Sequence, residues 1–190
     1  MRYPANQKAK AREAILQAGA QALRTHGFNG IGVDGLAASA GVTSGAFYSN
    51  FPNKQALLEG VIDNCLGKPF VDVDTGTVAE RRQVLRDWLA EYISAYHREN
   101  PAAGCVMPTL SADVARANPA AREVYGVRMT DLIRKITAVL DGPEADRQRR
   151  AWSIVAVMVG SIEITRAMPD GEEPNRAIDH ALETAVSLIG

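Results

Sequence analysis

Side-chain chemistry in this 190-residue chain could concentrate in two places. The first is a set of thiols and imidazoles: Cys65, Cys105, His26, His97 and His180. His97 and Cys105 are near enough in sequence to suggest a Cys–His nucleophile. However, the breaker Asn100-Pro101 lies between them, and nothing nearby supplies an orienting partner or an oxyanion hole. No enzyme is expected. The three histidines lack metal-ligand spacing, so neither a metal nor another cofactor is expected. Cys105 follows Gly104 at a predicted helix start, a position that can lower a thiol pKa. It reads either as a redox or electrophile sensor or, more simply, as a small buried hydrophobe. Cys65 sits among Val61, Ile62 and Leu66 and reads as core. Two cysteines make a poor disulfide framework, and reduced thiols point to a cytoplasmic protein.

The second place is a short run of hydroxyl and amide side chains, Thr43, Ser44, Tyr48, Ser49 and Asn50, with Gly45 and Ala46 among them. The residues around it predict two short helices, Val33–Ala40 and Thr43–Asn50. Leu36, Ala37 and Ala40 give the first an apolar face, and the small Ala37 lets the second cross closely. Gly41 permits φ > 0 in the turn, Val42 plugs it, and Thr43 can cap the next helix. Phe47 and Phe51, four apart, anchor that helix to a core. Its outward face carries no charge, and its first turn is small. Backbone N–H groups at such a tip can approach a phosphate, and the helix itself fits a DNA major groove. Tyr48 offers a hydroxyl to a phosphate, and Lys54 adds a cation beside it. A plain helical hairpin in an all-α protein is the competing reading.

The elements that position these residues are helical nearly throughout. A first helix is expected over Lys8–Thr25, ended by His26-Gly27. After the two short helices, Asn53 caps a helix reaching about Leu66. Gly67–Gly76 reads as a loop. Long or shorter helices follow over Val78–Arg98, Ala102–Arg116, Pro119–Leu140, Glu144–Ala167 and Asn175–Ile189, separated by Asn100-Pro101, Asp141-Gly142-Pro143 and Pro169–Pro174. No apolar run approaches a membrane span. Met1–Arg12 is polar and basic, so no secretory leader is expected there.

Composition is that of an ordinary globular protein, 46% hydrophobic and 23% charged, and the net charge of −1 taken alone argues against a nucleic-acid partner. Its distribution changes that. Residues 1–54 hold six cations (Arg2, Lys8, Lys10, Arg12, Arg24, Lys54) and two anions (Glu13, Asp34), a net of +4 on a body of −5. A basic end on an acidic body suggests a polyanion bound at that end.

The stretch from Gly27-Phe28 through Val33-Asp34-Gly35-Leu36-Ala37 and Ala40-Gly41-Val42 to Phe47-Tyr48, Phe51 and Lys54 resembles the DNA-binding domain of TetR/AcrR-type regulators. The resemblance implies an all-α fold with a three-helix helix-turn-helix domain over residues 1–52 and a helical effector-binding and dimerisation domain over 53–190. It implies that Thr43, Ser44, Gly45, Tyr48, Ser49 and Asn50 face double-stranded DNA, with Tyr48 and Lys54 on phosphates. Lys8, Lys10 and Arg12 could add further phosphate contacts or simply be solvated. Two departures stand out: Gly32 where many relatives have a phosphate-contacting Ser or Thr, and Ser44 where many have Lys.

The same resemblance implies a dimeric regulator, expected to be a repressor, that binds a palindromic operator and is released by a small molecule. Trp88, Tyr92, Tyr96, Met107, Leu110, Tyr125 and Trp152, with Cys105 and Glu163, are candidate effector contacts. The aromatic and Met residues could equally be plain core, and Glu163 could reach solvent or pair across a dimer. The homodimer contact is expected on the last two helices, through Trp152, Val155, Val159 and Ile162 on one and Ile178, Leu182, Ala185 and Ile189 on the other.

Overall fold

The computed structural model describes residues 5–68, 70 and 76–190, with side chains from residue 8 onward. Arg2 and most of the expected loop Gly67–Gly76 therefore lie outside the described residues. The described residues form ten α-helices and no strand: α1 Ala5–His26, α2 Val33–Ser39, α3 Ser44–Asn50, α4 Lys54–Cys65, α5 Val78–Tyr92, α6 Ala95–Glu99, α7 Met107–Ala115, α8 Pro119–Thr137, α9 Glu144–Arg166 and α10 Glu172–Ser187. A 3₁₀ turn, Pro101–Ala103, precedes α7. None of these helices is long and apolar enough to cross a membrane.

Caps set many of the starts. The side chains of Thr43, Asn53, Ser94 and Asn118 each accept a backbone N–H three residues on, and Thr77 with Glu80 forms a reciprocal capping box. Gly27 ends α1 at φ 69°, as its position after His26 predicts.

One expected helix is two. Val78–Arg98 breaks after Tyr92, because Ser94 caps a new helix and the Tyr92 carbonyl accepts the His97 Nδ1–H at 2.7 Å. A side chain has taken over an acceptor that a continuous helix would have used. Ala102–Arg116 likewise begins as a 3₁₀ turn and becomes α-helical only at Met107. The last helix starts at Glu172, three residues before Asn175, with Pro174 tolerated in its first turn.

One continuous apolar core runs through the described residues. Ile15 and Leu23 of α1, Leu36 and Ala37 of α2, Phe47 and Phe51 share one cluster with Leu57 and Leu58 of α4, with α1 packed on α2, α3 and α4. That cluster continues through Leu85, Leu132, Ile154 and Ile189. Helix α4 packs on α1 on one side and on α8 on the other, and α1 also meets the Pro101–Ala103 turn and α7 directly, so the two ends are joined at several places.

The apolar faces expected to meet a partner copy are mostly used within the chain. Val155, Ile162, Ile178, Ala185 and Ile189 are buried in its own core, where α9 packs on α10. Trp152 stays exposed, and Val159 and Leu182 stay half-exposed. Periodicity reveals that a helix has an apolar face, but α9 is apolar on more than one side. Its outward stripe is Trp152, Ala156, Gly160 and Ile164.

Candidate nucleic-acid interface and effector cavity

Helices α2 and α3 are joined by a tight turn. Gly41 adopts φ 65°, its N–H donates to the Ala38 carbonyl, and the Val42 N–H donates to the Ala37 carbonyl. This seals the end of α2 and aims the chain into α3. Phe47 and Phe51, both buried, hold α3 down, and the Tyr48 ring packs edge-on against Phe47 at 5.6 Å while remaining 53% exposed. Burial of each Phe stabilises this arrangement by about 1.5–3 kcal/mol.

Apart from the Tyr48 hydroxyl, the polar side chains on the outward side of α3 are internally bonded. The Thr43 hydroxyl accepts the Ala46 N–H at 3.2 Å. Ser44 donates to the Asp34 carboxylate at 2.6 Å. Ser49 donates to the Ala46 carbonyl at 2.9 Å, and the Asn50 amide donates to the same oxygen at 2.8 Å. Lys54 is engaged too, with its ammonium 4.3 Å from the centroid of the Phe28 ring. Burial lowers its pKa, partly offset by the charge of Asp113. The Arg12 guanidinium lies over Phe51 at 4.7 Å. Lys8 and Lys10 are exposed. Gly32 caps α2 without a hydroxyl, and a Cβ there would meet open space.

The end of α1 is fastened to the body twice. The Phe28 N–H donates to Asp113 at 2.7 Å. Arg24 donates through Nε and Nη2 to the Ala102 carbonyl at 2.9 and 2.6 Å. Beside Arg24 lies a cavity of about 310 Å³, bounded by Asn64 and Cys65 at the end of α4, Lys68 beyond it, Trp88, Glu91 and Tyr92 of α5, Tyr96 and His97 of α6, and Asn100 with Ala103–Cys105.

His97 organises its inner wall. With Nδ1–H on the Tyr92 carbonyl, Nε2 is left to accept the backbone N–H of Cys105 at 2.9 Å. The ring also stands edge-on to Tyr92 at 4.4 Å. Its pKa is lowered by burial, and by the nearby Arg166 and Arg24 charges, against the raising effect of the Tyr92 bond. Burial pushes the Cys105 thiol up despite the backbone N–H groups of Met107 and Gly67 beside it, and it pushes the Tyr92 hydroxyl well up. That hydroxyl is buried next to the Cys105 thiol without a hydrogen bond of normal geometry among the described residues. Since Nε2 is occupied by an amide rather than the thiol, His97 and Cys105 do not form a nucleophile–base pair.

Residues 15–61 match the family described as bacterial regulatory proteins, tetR family. This segment contains α2, the Gly41 turn and α3. The chain carries a TetR-family helix-turn-helix DNA-binding domain. The fold agrees over nearly the full length. Reduced E. coli NemR is similar at 18% identity and a TM-score of 0.71, covering 95% of this chain and 97% of that one. The regulatory protein TetR from Rhodobacter sphaeroides is 16% identical with a TM-score of 0.72, covering 95% and 99%. SmeT in its complex with triclosan is 20% identical with a TM-score of 0.61, covering 93% and 90%. No curated protein sequence matches the chain.

Within this TetR-type fold, four candidate effector contacts meet on the cavity: Trp88, Tyr92, Tyr96 and Cys105. The other five do not. Met107 and Leu110 are buried in the core, Tyr125 shares a hydrogen bond with Ser111 at 2.7 Å, Glu163 is exposed on α9, and Trp152 borders a separate groove between α8 and α9. Arg24, Cys65 and His97 line the cavity as well, although nothing in their sequence setting assigns them to it. Arg24 looks like an ordinary basic residue in the last turn of α1. Its place on the cavity depends on the contact of α1 with the Pro101–Ala103 turn, which no local pattern announces.

Proposed function

We propose that this chain is a ligand-responsive transcriptional repressor of the cytoplasm, which binds a palindromic operator as a homodimer and is released by a small molecule. The observation that carries the proposal is Arg24: it belongs to the first helix of the DNA-binding head and lines the cavity. Tyr48 and the exposed Lys8 would contact phosphates, with Thr43 beside them and Lys54 close by. Ser44, Gly45 and Ser49 would enter the major groove, with Asn50 at its edge. One short recognition helix offers little specificity, so two copies on a symmetric dimer would read two half-sites. The outward stripe of α9, Trp152, Ala156, Gly160 and Ile164, would pair with its symmetry mate, the small residues allowing close approach.

The cavity volume is at the lower end of the ligand-pocket range of about 300–1,000 Å³. Trp88, Tyr92 and Tyr96 suit a compact aromatic effector. SmeT, similar in fold, has been seen with triclosan, a compact aromatic molecule. An effector bound there competes for space and hydrogen bonds with the Arg24–Ala102 contact. It therefore favours conformations in which α1, and with it the head, has shifted.

Compact phenols and aromatic acids that raise the melting temperature of the full chain should also lower its affinity for duplex DNA. Arg24→Ala should weaken that coupling while leaving compound binding measurable. Compounds that bind the cavity without changing DNA affinity would contradict the release mechanism.

A further inference from the structure

We infer that α3 reads its operator as a hydrogen-bond acceptor: Ser44 and Ser49 meet exocyclic amino groups of adenine or cytosine, and Asp34 sets this preference through Ser44. The inference rests on α3 being the recognition helix.

A serine hydroxyl has one proton and two lone-pair sites. The proton of Ser44 goes to the Asp34 carboxylate at 2.6 Å, and a carboxylate only accepts. The proton of Ser49 goes to the Ala46 carbonyl, which also only accepts. Both hydroxyls are therefore left with lone pairs to present outward. Asn50 is turned back, one N–H on the same Ala46 carbonyl and its Oδ1 buried. No Arg, Lys or Gln stands on α3 to read guanine or adenine with two bonds.

The remaining hydroxyl protons lie elsewhere on the helix. The Thr43 oxygen accepts the Ala46 N–H, which leaves its proton free, and Tyr48 projects into solvent. Phosphate oxygens only accept, so Thr43 and Tyr48 suit the backbone and the two serines suit the bases. In the major groove adenine N6 and cytosine N4 donate, whereas guanine and thymine present acceptors at the corresponding edge. A serine lone pair facing one of those acceptors loses its bond and leaves both groups desolvated. Each serine thus accepts adenine or cytosine on its contacted strand, with little choice between them, and rejects guanine and thymine.

The test selects an operator from a random duplex library with the full-length protein and measures affinity for every single-base change by fluorescence anisotropy. Replacing the contacted adenine by purine, which lacks only the exocyclic amino group, should weaken binding about three- to tenfold. Ser44→Ala should abolish that loss at one position per half-site, and Ser49→Ala at another. Asp34→Ala frees the Ser44 proton and should relieve the guanine and thymine penalty at the Ser44 position alone. Asp34→Asn, whose Oδ1 can still accept from Ser44, should keep the wild-type pattern. Melting temperatures near wild type would establish that these surface variants fold. If the protein binds its selected site but ignores loss of the amino group, or if Asp34→Ala leaves the pattern unchanged, this inference fails alone. If no duplex is enriched, the inference and the function it rests on fail together.

Discussion

The Asp113 carboxylate, near the end of α7, accepts the backbone N–H of Phe28 at 2.7 Å, joining residues 85 positions apart. Asp113 also pairs with Arg116 at 3.2 Å. Its charge acts on Lys54, whose ammonium covers the Phe28 ring. One carboxylate thus engages the exit of α1, the start of α4 and its own helix. Both α1 and α4 support the helix-turn-helix, so this contact fixes how the head sits on the body.

Asp113→Ala should remove a charge-assisted hydrogen bond and leave the Phe28 N–H without its partner. Chemical denaturation should register a loss of about 1.5–3 kcal/mol. A loss below about 0.5 kcal/mol would mean that water satisfies Phe28 equally well.

Gly32→Ser should do two things. The N-cap backbone is extended at φ −87°, and a Cβ meets no atom within 4 Å, so serine fits without strain. Helix capping should add a few tenths of a kcal/mol to stability. A hydroxyl at this tip should also strengthen DNA binding about threefold or more, the order of one added hydrogen bond. Anisotropy titration of the variant against wild type checks this, and unchanged affinity would place Gly32 away from the phosphates.

Acid should destabilise the fold through His97. Its folded pKa is below the ordinary value of 6.5, so the unfolded chain binds the extra proton first as pH falls. Stability from this group is complete above 6.5 and is lost as pH drops through the folded value. Protonation would set an N–H of Nε2 against the Cys105 N–H. Glu80, held low by the Thr77 backbone, Asp141, held low by Arg82, and Asp146, held low by Arg149, add a second loss at more acidic pH. Melting curves should therefore fall in two stages, and His97→Leu should remove the first slope while lowering stability at neutral pH.

Much of the head was legible in sequence because its determinants are local. The Gly27 cap, the Gly41 turn, the Thr43 cap and the Phe47–Phe51 anchor each act within a few residues, and all four occur as their spacing predicts. The cavity was only half legible. Trp88, Tyr92, Tyr96 and Cys105 come together, but Met107 and Leu110 are core, since a cavity wall and a packed core use the same residue types. The break after Tyr92 depends on where His97 donates its proton, a choice fixed by the Cys105 N–H, which occupies Nε2. Of the expected partner-facing residues, Val155, Ile162, Ile178, Ala185 and Ile189 face inward while Trp152, Val159 and Leu182 do not, because apolar character alone does not say which surface an apolar face will meet.

Ile164→Glu tests the proposed dimer. Ile164 is 64% exposed, so the change should leave the fold and melting temperature of the isolated chain nearly unaltered. Buried in an α9–α9 contact, the new carboxylate would face its symmetry mate. Sedimentation should then show monomer, with weakened operator binding. A wild-type dimer population in the variant would move the interface elsewhere.

Whether α3 carries a DNA-reading face is tested most directly by salt-dependent anisotropy on the selected duplex. Wild-type affinity should fall steeply, by tenfold or more, between about 50 and 200 mM salt, since phosphate contacts release counterions. Tyr48→Ala, which removes an exposed neutral side chain while leaving the Phe47 and Phe51 anchors in place, should weaken binding about tenfold at every salt concentration and leave the slope unchanged, since a hydroxyl releases no counterion. Equal affinity of the two proteins, or a wild-type affinity insensitive to salt, would mean that α3 does not read DNA.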